Sequence, residues 1–464
     1  MVTETRSIER RSIDLLISGA DVVTFDDAGT EVLDGAIAVT GNQIHWVGPA
    51  ADAATRFLPR QTIDGRGMIA MPGFVDAHVH TAQQFLHSRL PALRRRGELK
   101  NPIWSRYLIP FESGMEPEDI YLSGIAAYAS MIGSGTTCFL EAGGPFPDEM
   151  GRAADEIGIR GRIALSTMDM DESIPAGSRF STEEALRRNQ ELVERWRHHP
   201  RVNAWLSLRQ VMVNSPPLIK GMSALAEQLD TPIHTHLAEG IYEVDYTVAH
   251  WGLRPAEYLE SLGVLNHQLH AAHSVLLSLH ELDLYAARDV SACHCAFNNY
   301  TMGAPRILEM IHRRLRLGLG TDGAATRGSL DMFEVVHAAT VGQQAIGGTP
   351  HHIDPPITHA DMLRTAIRGG ARVARLEGQI GTLEAGKLAD LILVSSDDYA
   401  QFPGYDATIT LAESTVGPNV RTVVIDGKVV MKDRVLLTVD FDSMKEKMLR
   451  QYRTLMERFA KAIR

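Results

Sequence analysis

An apolar run closes on two histidines one residue apart, in Met71-Pro72-Gly73-Phe74-Val75-Asp76-Ala77-His78-Val79-His80. Successive side chains of a strand alternate between faces, so residues two apart project the same way. His78 and His80 can therefore share one metal, since neutral imidazole ligates zinc, cobalt, nickel and iron. Three more short runs end in the same kind of chemistry. They are Ile233-His234-Thr235-His236-Leu237-Ala238-Glu239, Ala271-Ala272-His273-Ser274 and Gly318-Leu319-Gly320-Thr321-Asp322-Gly323. A divalent ion held at such a place lowers the pKa of its water from about 15.7 towards about 7 and supplies hydroxide at neutral pH.

The elements that must bring these pieces together are legible as apolar runs alternating with helical stretches. Eight candidate strands cover residues 69–78, 136–141, 162–168, 202–209, 232–236, 268–273, 290–296 and 315–322. Eight parallel strands with intervening helices predict an α/β chain, a (β/α)8 TIM-type barrel whose functional residues gather at strand C-termini. Both flanks are β-rich, with turn residues between short strands at 13–68 and again at 388–394 and 420–431. Asp426-Gly427 is a hairpin signal. The flanks predict a small β-sandwich domain built from both chain ends, residues 1–68 plus 380–440. The barrel then spans 69–379, and an amphipathic, charged helix spans 441–464.

The 464 residues are 44% hydrophobic and 22% charged, an ordinary globular composition. A net charge of −11 repels phosphate backbones and speaks against a nucleic-acid partner. Arg94-Arg95-Arg96 reads as a solvated loop. Three cysteines, Cys138, Cys293 and Cys295, make no disulfide framework and suit a reducing compartment. Cys293 and Cys295 flank His294, but the segment reads as an alternating strand rather than a zinc site. The polar start, residues 1–11, has no apolar core of a signal peptide, and no run approaches about 18 apolar residues, so no membrane span is expected. The expected location is the cytoplasm, the expected partner a small-molecule substrate, and the expected assembly a homodimer or higher homo-oligomer.

In these motifs the chain resembles the amidohydrolase superfamily, in its branch of triazine hydrolases and heterocycle deaminases. The likeness extends to the two-part β-domain and to Gly369-Gly370-Ala371-Arg372 and Gly381-Thr382-Leu383-Glu384-Ala385-Gly386-Lys387-Leu388-Ala389-Asp390. It implies one divalent ion on His78, His80, His236 and Asp322: Zn2+ first, with Co2+, Fe2+ or Mn2+ also suited. His234 faces the same way as His236 by period two, and the H-x-x-E spacing ranks it second. Glu239 and His273 are catalytic by the same resemblance. Glu239 would take the water's proton and return it to the leaving nitrogen. His273 would stabilise developing charge, and Asp322 would accept a hydrogen bond from the hydroxide. Two-metal relatives bridge their ions with a carboxylated lysine ending strand four; between residues 101 and 383 the one lysine is Lys220, well past that strand.

Three departures from the branch fall after strands. Leu208-Arg209-Gln210-Val211-Met212 stands where P-H-x-P-Y is usual, so Arg209 replaces a substrate-contacting histidine. His294-Cys295-Ala296-Phe297-Asn298-Asn299 stands for H-N-P-x-S-N, and Phe85-Leu86-His87-Ser88 for L-L-R-G. They point to a changed substrate. The first reading is hydrolysis of an amide, urea or (thio)carbamate in xenobiotic degradation, since length and layout resemble phenylurea and thiocarbamate herbicide hydrolases. The alternatives are a heterocycle aminohydrolase releasing ammonia and a catalytically inactive scaffold. Expected substrate contacts are apolar from Phe85, Trp104, Met168, Met212 and Phe297, and polar from Gln84, His87, Arg209, His294 and Asn299.

Overall fold

The computed structural model describes residues 10–348 and 355–463. Most of the polar start, residues 1–9, lies outside the described residues. The first strands are β1 (Arg11–Val23), β2 (Glu31–Thr40), β3 (Gln43–Pro49), β4 (Phe57–Asp64) and β5 (Met68–Pro72). Then come β6 (Phe74–His80), β7 (Thr136–Glu141), β8 (Arg160–Ile163), β9 (Val202–Ala204), β10 (Leu206–Gln210), β11 (Ile233–Leu237), β12 (Leu269–His273), β13 (Ser291–His294), β14 (Arg316–Leu319) and β15 (Asp322–Gly323). The last are β16 (Leu391–Ser395), β17 (Val420–Ile425), β18 (Lys428–Lys432) and β19 (Val435–Leu436).

The two ends of the chain meet in one mixed nine-stranded sheet, ordered β19-β18-β17-β16-β5-β1-β2-β3 with β4 also on β1. The β-rich flanks do meet, and they are joined edge to edge through β5 and β16. β16 runs antiparallel to β5, Leu391 opposite Pro72 through Ser395 opposite Met68, so the C-terminal strands extend the N-terminal sheet. Leu15, Ile17, Ile37, Val39, Ile63, Leu391, Leu393 and Val424 share one apolar cluster on it. Asp426 and Gly427 turn the β17–β18 hairpin with φ of 53° and 74°, as a two-residue turn with positive φ at both positions requires.

The middle of the chain forms two five-stranded parallel sheets, β15-β6-β7-β8-β9 and β10-β11-β12-β13-β14. Each of the eight expected runs overlaps a parallel strand, although the run 162–168 does so at two residues only, because β8 starts earlier and ends at Ile163. Two runs are broken and take part in both sheets. Only Trp205 separates β9 from β10: its N–H donates to Ile163 O, and the next N–H, of Leu206, donates to Pro232 O. Gly320 and Thr321 separate β14 from β15. A Cβ on Gly320 would lie 2.8 Å from both Cys293 Sγ and His78 O, so only glycine permits this backbone approach. The parallel strands are buried throughout most of their length, which is why their sequences read as continuous apolar runs.

Two expectations need correction. Residues 69–78 are not one strand: β5 joins the mixed sheet and β6 the parallel one, with Gly73 between them. A Cβ at Gly73 would sit 2.1 Å from Thr137 Cγ2. The expected strand 290–296 stops at His294, because Cys295 already caps the helix Ala296–Met302.

The C-terminal helix Phe441–Ala462 forms as its amphipathic pattern predicts, capped by Asp440 and burying Met448, Leu455 and Phe459. Gln451 and Arg458 both reach Asp119, on the helix Pro117–Gly133 that follows a Glu116 cap. A buried ion pair ties the two kinds of sheet. Arg160, opening β8, donates to both carboxylate oxygens of Asp390 at 2.6 and 3.1 Å, and to Asp426 Oδ1 at 3.2 Å. Removing one partner leaves the other charge buried and unpaired, which costs about 3–5 kcal/mol. Arg160→Ala should therefore lower the melting temperature markedly, and far more than Arg187→Ala, whose Glu191 partner is solvent-exposed. Equal melting temperatures for the two variants would show that Arg160 does not fasten the sheets.

Candidate active site

The C-terminal ends of β6, β11 and β12 converge with the start of the short β15. His78 and His80 come from β6, His236 from β11, His273 from β12 and Asp322 from β15, all of them buried. His78 Nε2 lies 3.6 Å and His80 Nε2 3.7 Å from Asp322 Oδ1. His80 Nε2 and His236 Nε2 face each other at 3.0 Å. Two sets of possible ligand atoms lie within 4.8 Å of one another, His78–His236–His273 and His78–His80–Asp322. Left-handed backbone occurs at Ala238, His273, Ser274 and Asp322, with φ from 47° to 67°. Such conformations cost energy in non-glycine residues and cluster where the fold aims a functional side chain.

The ring nitrogens suit a cation. His236 Nδ1 lies 2.7 Å from Arg209 O; a carbonyl only accepts, so Nδ1 carries the proton and Nε2 keeps its lone pair. His78 Nε2 is buried with no hydrogen-bond partner. Burial, reinforced by neighbouring imidazoles and by Arg209, holds His78, His80 and His236 well below the ordinary histidine pKa, so the rings are neutral. Neutral, partly unpartnered nitrogens around one carboxylate fit a divalent metal. His234 belongs to neither ligand set; its Nε2 lies against His78 Nδ1 instead. β10 ends in Gln210, and Lys220 is exposed on the helix Pro216–Leu229.

Glu239 follows β11 and collects three donors: Gln210 Nε2 at 3.0 Å, Tyr242 Oη at 2.8 Å and Asn298 Nδ2 at 3.0 Å. Burial raises its pKa, but His273 and His236, helped by Tyr242, outweigh that and hold it below the usual value. It is an ionised carboxylate, 3.9 Å from His273 Nε2. His273 in turn donates Nδ1–H to Asn299 Oδ1 at 3.0 Å, while Asn299 Nδ2 donates to His273 O at 3.0 Å and meets His294 Nδ1 at 2.8 Å.

Above Glu239 and Asp322 opens a cavity of about 780 Å³. Trp104, Tyr242 and Phe297 give it aromatic walls, with Ile103, Leu108 and Met302 beside them and Arg94 and Arg327 among the lining. The Arg327 guanidinium stacks 4.0 Å over Phe297.

Of the ten expected substrate contacts, Trp104 and Phe297 line this cavity. Phe85 packs on Tyr452 of the C-terminal helix, and Met168 and Met212 sit in the core. Gln84 keeps a buried, unpartnered Oε1, and His87 lies beside Ser88 and Gly328. Arg209 is engaged by Glu112 at 2.8 Å, whose other oxygen accepts from Gln83. His294 and Asn299 are fully buried beside His273. Sequence reasoning missed Gln210, Tyr242, Asn298 and Arg94. Tyr242 stands three residues after Glu239, a spacing that brings side chains together at a helix start. Arg94, read as solvated, lies on the helix Arg89–Arg95 that edges the cavity.

Glu243 lies beneath Glu239, fully buried, with Oε2 accepting the Glu239 N–H at 3.0 Å. Burial pushes its carboxyl up to about 8. A folded-state pKa raised above the unfolded 4.5 disfavours the ionised form in the fold, so stability is lost as pH climbs from about 4.5 through about 8. Glu243→Gln lacks that proton. The variant's melting temperature relative to wild type should rise steadily between those pH values; a constant difference would refute the assignment.

Residues 69–430 match the model of the amidohydrolase family. The 5-methylthioadenosine/S-adenosylhomocysteine deaminase of Pelotomaculum thermopropionicum is 32% identical over 430 residues, covering 92% of this chain and 95% of that one. That of Desulforudis audaxviator is 32% identical over 448 residues, covering 96% and 99%. Among solved structures, an adenosine deaminase from Xanthomonas campestris with bound zinc superposes with a TM-score of 0.89 at 29% identity, covering 97% and 100%. Atrazine chlorohydrolase from Arthrobacter aurescens, complexed with zinc, shares the fold at a TM-score of 0.82 and 22% identity, covering 94% and 100%. The chain belongs to the amidohydrolase family, as a metal-dependent hydrolase of carbon–nitrogen bonds other than peptide bonds.

Proposed function

We propose that this enzyme is an aminohydrolase that releases ammonia from the aminated ring of an adenosine-like compound. The reading includes one metal, zinc, on His78, His80, His236 and Asp322, at the open end of a barrel closed by the two parallel sheets. The observation that carries it is the match, over more than nine-tenths of the chain, to relatives named as deaminases of adenine-bearing compounds. This reverses the order read from the sequence, which put amide, urea or (thio)carbamate hydrolysis first. That order rested on departures from the branch pattern, and two of the residues involved are occupied elsewhere: Arg209 with Glu112 and Phe85 with Tyr452.

A divalent ion bound by these ligands acts as a Lewis acid and brings water towards hydroxide at neutral pH. The protein's own groups do the rest. Glu239, held ionised, takes the proton of the attacking water and passes it to the ring and then to the leaving amine. His273, fixed by Asn299, places its Nε2 towards Glu239 and the reacting carbon, where it stabilises developing charge. Trp104, Tyr242 and Phe297 offer flat apolar surface to a planar ring.

Ammonia release from adenosine, 5′-methylthioadenosine and S-adenosylhomocysteine, assayed beside amine release from phenylureas and carbamates, tests the reading. Turnover of ureas or carbamates with no ammonia from any purine would restore the other order. Within the active enzyme, Glu239→Gln should lower kcat by about 10²–10⁴-fold and leave bound metal unchanged, whereas His236→Ala should lose both. Metal loss in Glu239→Gln would make Glu239 a ligand.

A further inference from the structure

His234 repeats the inward-facing pattern of His236 one strand period earlier, yet no step of the reaction uses it. It is fully buried, and its Nε2 lies 2.8 Å from His78 Nδ1. One of these two nitrogens must donate and the other accept, and the choice is not neutral for the site. If His234 donated, His78 would carry its remaining proton on Nε2. That nitrogen is the one 3.6 Å from Asp322 Oδ1 and without a hydrogen-bond partner, so an N–H there would close His78 to any cation. If His78 donates from Nδ1, its Nε2 lone pair is free.

The layer beneath does not compete for His234 Nε2; when that nitrogen accepts, the proton sits on Nδ1, which is buried without a hydrogen-bond partner. His270, whose ring centre is 4.7 Å from that of His234, must donate from Nε2 to Ala77 O at 2.9 Å, because a carbonyl only accepts. Its Nδ1 lies 3.1 Å from the Ser291 hydroxyl, which also reaches Leu269 O at 3.3 Å, and neither nitrogen contests His234. The same Ala77 carbonyl bond grips β6 one residue before His78.

We propose that His234 is a positioning residue, whose Nε2 accepts from His78 Nδ1 and so holds His78 in the tautomer that can bind the metal. The inference rests on the metal reading above. Partners of this kind, one shell out from the ligands, typically alter metal affinity by about 10–100-fold when removed.

The test is the zinc affinity of full-length apoprotein, measured against a competing chromophoric chelator, for wild type and for His78→Ala, His234→Phe, His234→Leu and His234→Gln. The amide oxygen of glutamine reaches the place of Nε2 and accepts, while phenylalanine and leucine cannot. The melting temperature of each apoprotein reports folding separately from affinity. The expected result is binding weakened about 10–100-fold in His234→Phe and His234→Leu, with His234→Gln near wild type. Wild-type affinity in the acceptor-free variants would overturn the role, as would a glutamine variant no better than phenylalanine. His78→Ala binding zinc as tightly as wild type would instead overturn the metal reading itself, and the role of His234 with it.

Discussion

Two imidazole nitrogens, His80 Nε2 and His236 Nε2, face each other at 3.0 Å in a space where burial suppresses ring protonation. Such a pair either shares a proton in an N–H···N hydrogen bond or turns both lone pairs on a cation between them. Much of the surrounding structure serves this one arrangement. The Arg209 carbonyl fixes the His236 tautomer. The positive φ at Asp322 turns its carboxylate towards both β6 histidines. Gly320 lets the chain pass His78 so closely that any side chain there would strike its backbone. These three are backbone devices, and the Asp76 carboxylate adds to them by accepting from His78 N–H and Thr321 N–H.

The second organising contrast lies between Glu239 and Glu243. The two carboxylates are four residues apart and both are buried. Glu239 faces His273, His236 and three donors and stays ionised. Glu243 meets backbone N–H groups and the like charge of Glu239, and burial dominates, so its carboxyl titrates near 8. Residue type is the same, and environment assigns opposite protonation states. The carboxylate poised for proton transfer is the one whose neighbours reward its charge and whose oxygens open on the cavity.

The ligand and catalytic candidates were legible because their spacing obeys strand periodicity and each stands at a strand end, where a parallel α/β fold presents side chains to one face. The cavity walls were legible only in part. Phe297 was identifiable as a large apolar residue just after a strand end, and Trp104 as one in the long segment after β6. Met168, Met212 and Phe85 have the same chemistry and pack into the core, because apolar type says nothing of which side of a loop faces the cavity. Arg209 illustrates the same limit for a charged residue. Its partner Glu112 is 97 residues away in sequence, and no local pattern announces that the guanidinium is already neutralised.

Domain-level features divide in the same way. Alternating apolar runs, turn residues and the Asp426-Gly427 pair determine, from sequence alone, which segments become strands and that both ends of the chain are β-rich. Period-two spacing likewise determines that His78 with His80, and His234 with His236, share a face. Only the tertiary structure decided that β5 and β16 pair edge to edge into one sheet, since an edge pairing depends on hydrogen bonds between segments more than 300 residues apart. Only it decided that His234 meets His78 Nδ1. The resemblance in the H-x-x-E spacing ranked His236 first, but the contact that His234 makes depends on its depth along the strand relative to a neighbour from another part of the chain, a quantity that no local pattern contains.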